Sequence, residues 1–216
     1  MKERIFFMKP INVYFPPRSL RIAIGDEDAE DLLNYIFHAL ECLELNQVLK
    51  LRLYDVDCIT YSCLMQVIRR LTYEMAKGGK FHNKFMAIYD LPFDITYRKE
   101  MLNTITAVID NLGLPILLVG NATSDPDVEF EILGNVFYYN PQLLQIFNLL
   151  RKEELEGNKC LTADTLARKL NLPFKMVSRT LRRLHSFGLL IREHIFTPSK
   201  TRGEYCYFTV VSRALD

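Results

Sequence analysis

No run of about 18 consecutive apolar residues occurs in the 216-residue chain, so no segment is expected to cross a membrane as a helix. The first ten residues, MKERIFFMKP, lack the apolar core and small-residue cleavage site of a secretory signal. The five cysteines (Cys42, Cys58, Cys63, Cys160 and Cys206) include no C-x-x-C pair. An odd number of thiols without a secretion signal points to reduced cysteines in a cytoplasmic protein. The four histidines are scattered, with no H-E-x-x-H or comparable ligand spacing, so no structural zinc or other metal is expected. There is no G-x-x-x-x-G-K-S/T phosphate loop, and no local signature supports a nucleophile or an acid–base pair. The chain is therefore expected not to be an enzyme and to need no cofactor.

What is present is unevenly distributed. Apolar residues make up 49% of the chain, ample for one large core or two modest ones. The net charge of +1 hides a split. Residues 1–139 hold 14 Lys and Arg against 19 Asp and Glu, a net of −5, whereas residues 140–216 hold 13 against 7, a net of +6. An acidic front and a basic back imply two modules, with any nucleic-acid surface confined to the second.

Residues 161–206 carry the densest pattern. Ala163, Leu166, Ala167 and Leu170 share one helical face, and Thr162 is placed to cap that helix. Asn171-Leu172-Pro173 breaks it, and Pro173 suits the first turn of the next helix. That second helix presents Phe174, Val177, Leu181 and Leu184 as a core face, with Lys175, Ser178, Arg179, Arg182 and Arg183 opposite. Gly188 stops it. Two strand-like runs follow, 189–196 and 204–211, joined by TPSKTRG, a turn-rich tip with Lys200 and Arg202. Two short helices and a basic-tipped hairpin make a winged helix-turn-helix. VSRTLRRLHSFGLL, residues 177–190, closely resembles winged-helix regulators, which commonly read V-S-R-x-L-x-x-L-x-x-x-G-L-I/L there. The resemblance covers the last third of the chain. It implies double-stranded DNA as partner, with the second helix in the major groove and the wing on backbone or minor groove. A helix fits that groove, and exposed Arg and Ser reach base edges and phosphates. The alternative is an ordinary solvated helix face.

The first module alternates strands and helices. Residues 11–15 read as a strand, Pro16-Pro17-Arg18 as a turn and residues 20–24 as the returning strand, which predicts a hairpin. Asp26 is placed to cap a helix carrying Ala29, Leu32, Leu33, Ile36, Phe37 and Leu40. Residues 48–53 are a strand. Ser62 begins a helix with Leu64, Met65, Ile68 and Leu71 on one side, ended by Gly78-Gly79. Residues 85–89, 96–112 and 115–119 follow as strand, helix and strand. The expected class is an α/β layer fold with a partly parallel sheet.

Residues 51–64, LRLYDVDCITYSCL, resemble the strand–loop–helix of STAS and STAS-like domains, L-D-x-S-G-V-x-x-I-D-S-S-G-L. Leu53, Val56, Ile59, Ser62 and Leu64 fall on matching positions, within a likeness spanning residues 10–120. The resemblance implies a sensing, dimerising or partner-binding domain. It also puts Ser62 where anti-sigma-factor antagonists are phosphorylated, a charge change that helix N-terminal N–H groups would receive. The chain departs from the family at Thr60 for the aspartate, Tyr61 for the preceding serine and Cys63 for the glycine. Ser62 as a plain N-cap is the other reading.

Asp55, Asp57, Asp90 and Asn121 lie just after expected strands, where open α/β sheets bind ligands. They equally suit helix caps and turns. LLVGNATSD, residues 117–125, resembles the base-reading strand of small GTPases, L-V-G-N-K-x-D. Ala122 stands at the lysine and Ser124 at the aspartate, which with the missing phosphate loop excludes a nucleotidase. Asp125-Pro126-Asp127 is a loop, and FEILGNVF, residues 130–137, a small hairpin or an edge strand. Pro141 opens a helix whose Leu143, Leu144, Ile146, Phe147 and Leu150 exceed what one solvent-facing helix buries. They should also pack on the first module or on a second subunit. The modules divide as residues 1–138 and 139–216, with no Gly/Ser linker between them, so tight coupling is expected. The combination points to a homodimeric DNA-binding transcription regulator, with a small-molecule or protein effector at its first domain. The alternative is a protein-interaction adaptor whose winged helix binds protein or RNA.

Overall fold

The computed structural model describes residues 11–14, 22–54, 56–123, 129–158, 160–195 and 203–215. The Pro16-Pro17-Arg18 turn, Asp55, the 125–127 loop, Lys200 and Arg202 lie outside the described residues. In chain order the first half comprises β1 (Ile11–Tyr14), β2 (Ile22–Ala23), α1 (Gly25–Cys42), β3 (Val48–Arg52), β4 (Cys58–Ile59), α2 (Tyr61–Met75), β5 (Phe85–Asp90), α3 (Ile95–Leu112), β6 (Ile116–Val119), β7 (Phe130–Leu133) and α4 (Val136–Tyr139). The second half comprises α5 (Pro141–Leu155), β8 (Leu161–Thr162), α6 (Ala163–Leu170), α7 (Phe174–Ser186), β9 (Leu190–Ile195), β10 (Glu204–Thr209) and α8 (Val210–Leu215).

VLKLR, FMAIYD and ILLV are near-continuous apolar runs, as strands covered on both faces require. They become β3, β5 and β6 of a five-stranded sheet ordered β1-β3-β5-β6-β7. The first four strands are parallel and β7 closes the edge antiparallel to β6. Consecutive strands are neighbours, and right-handed crossovers then put every connecting helix on one side. Leu49, Leu51, Ile88 and Leu118 accordingly join Leu33 and Ile36 of α1, Val67 and Leu71 of α2 and Ile105 and Ile109 of α3 in one core.

The alternate residues, Val48, Phe85, Ala87, Leu117 and Val119, face the other way. There they meet Ile146, Phe147 and Leu150 of α5 and Val210, Val211 and Ala214 of α8. Leu143, Ile146, Phe147 and Leu150 of α5 are thus covered within the chain, while Leu144 of the same helix stays 41% exposed. A division near residue 138 describes the order of elements, but the two halves share this second core.

Local chemistry explains the ends of elements. Asp94 caps α3, accepting from the N–H groups of Thr96 and Tyr97 at 2.8 and 3.3 Å. Thr162 caps α6 as expected, its Oγ1 accepting from Thr165 N–H at 3.2 Å. Pro141 occupies the first turn of α5, and Gly188, at φ 72°, turns the chain from α7 into β9. Strands β8, β10 and β9 form a three-stranded antiparallel sheet in that order. Glu154 of α5 fastens this sheet, accepting from the N–H and the Oγ1 of Thr209 at 2.6 Å each.

Several expectations are corrected. β1 and β2 form no hairpin: β1 pairs in parallel with β3, and β2 in parallel with β4. Turn residues specify a reversal but not the strand's partner, which the sheet supplies. Asp26 does not cap α1. Ile24 is the N-cap, and Asp28 Oδ2 accepts its N–H at 2.6 Å. Phe174 is 56% exposed, so the buried stripe of α7 is Val177, Leu181 and Leu184. Val210 and Val211 open α8 instead of extending the last strand, because they turn onto the large sheet. Of FEILGNVF, residues 130–133 form an edge strand, while Val136 and Phe137 belong to α4. Cys160 and Cys206 pair as a disulfide, their Cα atoms 5.3 Å apart, leaving Cys42, Cys58 and Cys63 as thiols. Antiparallel pairing of β8 with β10 creates that proximity across 46 residues of sequence, which linear spacing does not reveal.

Removing Phe147, fully buried between the two halves, should cost about 3–5 kcal/mol. Because the core is shared, Phe147→Ala should lower hydrogen-exchange protection of the slowest amides in β5 and in α7 by the same factor. A loss confined to α7 would show that the halves open independently.

Candidate nucleic-acid interface

Helix α7, FKMVSRTLRRLHS, contains four Lys or Arg and no Asp or Glu. Burial of Val177, Leu181 and Leu184 against α5, α6 and β9 fixes which side faces out. Lys175, Arg179, Arg182 and Arg183 are exposed and Ser178 is half-buried. The five residues do not act alike. Arg183 donates to Asn140 Oδ1 at 3.1 Å and lies 5.5 Å from the ring centre of Phe187. Arg182 donates to Ser178 Oγ at 3.3 Å. Among the described residues, Lys175 and Arg179 have no ion-pair partner. The first half of α7 is therefore the freer cationic surface, and Phe174 extends it with an exposed ring.

Ser62 is exposed in the first turn of α2, but it is not the cap. Thr60 holds that position without a side-chain bond, and the two hydroxyls lie 3.4 Å apart. The hydroxyl therefore occupies the second helical position, beside the unsatisfied N–H groups of the helix start.

The residues expected after the strands separate. Asp90 and Asn121 line a cavity of about 330 Å³ together with Arg52, Tyr54, Leu91, Phe93, Arg98 and Thr123. It sits at the carboxyl ends of β3, β5 and β6, the side where open sheets take ligands. Asp57 is not in its wall. Asp90, buried, is already held by the guanidinium of Arg52. Arg98 donates to the carbonyl of Thr123. Arg52 and Arg98 were the missed members of this cluster. Arg52 ends a strand and Arg98 sits in an early helical turn, positions that look like ordinary surface charge without the sheet order. Among the described residues, no group of three or more His, Cys, Asp or Glu is placed to hold a metal. No described helix is long and apolar enough to cross a membrane.

The last turn of α7 carries His185, whose Nε2 is buried without a partner and whose ring meets Phe85 edge-on at 5.9 Å. Burial, then the charges of Arg192 and His82, push its pKa down to about 4 from 6.5. The folded protein thus binds fewer protons here than the unfolded chain between those values. The stability contributed by the neutral ring is fully present above pH 6.5 and is lost as pH falls toward about 4. Urea midpoints measured across that range should decline less steeply for His185→Gln than for the parent. Parallel pH profiles would contradict this.

No protein-family model, curated protein or solved structure matches the chain.

Proposed function

We propose that the protein is a DNA-binding transcription regulator. In this reading residues 139–216 are a winged helix-turn-helix and residues 1–138 a STAS-like domain that serves sensing, dimerisation or partner binding. The observation that carries it is the outer face of α7, where Lys175 and Arg179 stand clear beside half-buried Ser178, with no carboxylate on the helix. The buried stripe seats that helix on α5 and α6, leaving a rod-shaped cationic surface of the kind the major groove accepts. The acidic first half supplies no competing attraction for phosphate, since its net charge is −5 against +6 for the second. Lys175, Ser178 and Arg179 are assigned to base edges and nearby phosphates. Arg182 and Arg183, at the far end of the helix, are assigned to backbone, with Lys200 and Arg202 at the wing tip.

The proposed unit on DNA is a homodimer, because one recognition helix covers only a short half-site and a two-fold pair reads a palindrome. Light scattering with and without duplex tests it, and a monomer mass in both states at micromolar protein argues against it.

An adaptor is the second reading, and it has its own observation. Phe93 and Ile95 are 86% and 82% exposed beside the cavity at the carboxyl edge of the sheet, and exposed apolar side chains clustered at a rim suit a protein partner.

Mobility shifts over a salt series separate the two. Each phosphate neutralised contributes about −0.9 to the slope of log K against log salt. Lys200→Ala should reduce that slope by about 1 per subunit and weaken all sequences alike. Arg179→Ala should cost about 1–3 kcal/mol on the preferred site and reduce discrimination between sequences. If Arg179→Ala and Lys175→Ala bind duplex like the parent, the assignment of α7 is wrong. A flat salt dependence alongside tight binding to a protein favours the adaptor.

A further inference from the structure

A second cavity lies at the opposite end of the sheet from the Asp90 cavity. A void of about 320 Å³ opens between the amino ends of β5 and β6, the end of α2, the last turn of α7 and the start of β9. Its titratable lining is Lys77, His82, Lys84, Arg182, His185 and Arg192, with no Asp or Glu among the lining residues. Lys84 is engaged, donating to the carbonyl of Leu40 at 2.5 Å. The two arginines are not neutralised: among the described residues, neither Arg182 nor Arg192 has a carboxylate partner. Arg192 lies over the ring of Tyr205, 5.0 Å from its centre.

Two buried polar atoms in the wall also lack partners, Asn83 Oδ1 and His185 Nε2. A buried donor or acceptor left unpaired costs about 1–3 kcal/mol, and the protein itself leaves these two groups of the wall residues unsatisfied. Apart from Thr72 and Ser186, the rest of the wall is apolar, including Leu71, Met75, Met86 and Leu114. Most small-molecule sites are built in this way, an apolar body with a few convergent polar groups.

We propose that this cavity binds a small organic carboxylate with an apolar body. The carboxylate sits between the guanidinium groups of Arg182 and Arg192 within reach of the His185 ring, and the hydrocarbon lies on Met75, Met86 and Leu114. Guanidinium forks match a carboxylate and remain charged at any physiological pH. His185 is neutral, so its ring supplies a hydrogen bond without adding charge. Arg182 belongs to α7, so a carboxylate that holds it inward withdraws it from DNA. Ligand and DNA then oppose each other, each weakening the other by the same factor. The site itself stands on the cavity alone, and only this coupling rests on the DNA-binding reading.

The test uses the full-length protein with benzoate and octanoate as probes, benzamide as the neutral isostere of benzoate, and inorganic phosphate as an anion without an apolar body. At least one carboxylate at about 10 mM should raise the melting temperature and give a saturable calorimetric isotherm. Benzamide and phosphate should do neither. Arg182→Gln and Arg192→Gln should each weaken carboxylate binding about tenfold or more, while circular dichroism and melting of the free proteins stay near the parent's. If neither carboxylate binds, if benzamide binds as well as benzoate, or if both variants bind like the parent, the site is not what is proposed. Mobility shifts with and without the bound carboxylate form the second arm. A protein that binds benzoate but no duplex keeps the ligand site and loses the regulator. One that binds duplex but no carboxylate does the reverse. With both present, the carboxylate should weaken duplex binding by the factor by which duplex weakens carboxylate binding. An unchanged duplex affinity removes the coupling.

Discussion

Four parallel strands laid down in chain order leave one sheet face without its own helices, and the rest of the molecule answers that constraint. Right-handed crossovers send α1, α2 and α3 to the same side. Val48, Phe85, Ala87, Leu117 and Val119 would otherwise face water. At about 1.5–3 kcal/mol for each large apolar side chain, leaving them bare would forfeit on the order of 10 kcal/mol. That is comparable with the entire stability of a typical domain. The chain uses its own second half as the cover, through α5 and α8. The two halves therefore share one buried interface, whatever each does separately.

This dependence explains which parts of the sequence were legible. The runs at 48–53, 85–89 and 115–119 are legible as strands from their apolar content, whereas what covers each face is not. The apolar excess on α5 said that it packs on more than its own module. The helical pattern of α6 and α7 is local, set by i, i+3 and i+4 spacing, and Thr162, Gly188, Val177, Leu181 and Leu184 fell where that spacing placed them, with exposed Phe174 the exception. What stayed hidden depends on partners distant in sequence. The pairing of β1 with β3, the docking of Val210 and Val211 on the sheet and the meeting of Cys160 with Cys206 are decided by which strand ends adjacent to which. The candidate site divides in the same way. The outward residues of α7 follow from periodicity, whereas the roles of Arg52, Arg98 and Arg192 appear only when separate strands and helices come together.

The charge split acquires a structural meaning once the halves are joined. If the basic unit were tethered by a flexible linker, the acidic unit could swing onto the cations of α7 and mask them. Docking through a shared core forbids that. Instead, the polar contacts at the seam are local and specific. Arg151 of α5 reaches Glu129 at 3.1 Å and Ser212 Oγ at 3.0 Å. Buried Glu153 takes the amide of Asn158 at 2.6 Å and the ammonium of Lys169. These bonds satisfy groups that burial would otherwise penalise; of those named, the Arg151–Glu129 pair joins the acidic half to the basic one, and the others brace the second half internally.

The same docking limits what a ligand at the proposed site could do to α7. A hinge that separated the halves would expose the apolar face beneath α5 and α8, at a cost close to that of unfolding. Movement that small-molecule binding can drive amounts to a few kcal/mol, since a shift from 1:99 to 99:1 already needs about 5.5 kcal/mol of differential affinity. Only side-chain rearrangements and small displacements of α7 fall within that range. Such changes are possible where the packing is incomplete, and the seam between the amino edge of the sheet and the end of α7 is such a place. His185 and Arg182 sit at that seam on the helix whose opposite end carries Lys175. A rigid helix transmits a shift of one end to the other, so the incomplete packing and the exposed cations are mechanically one element.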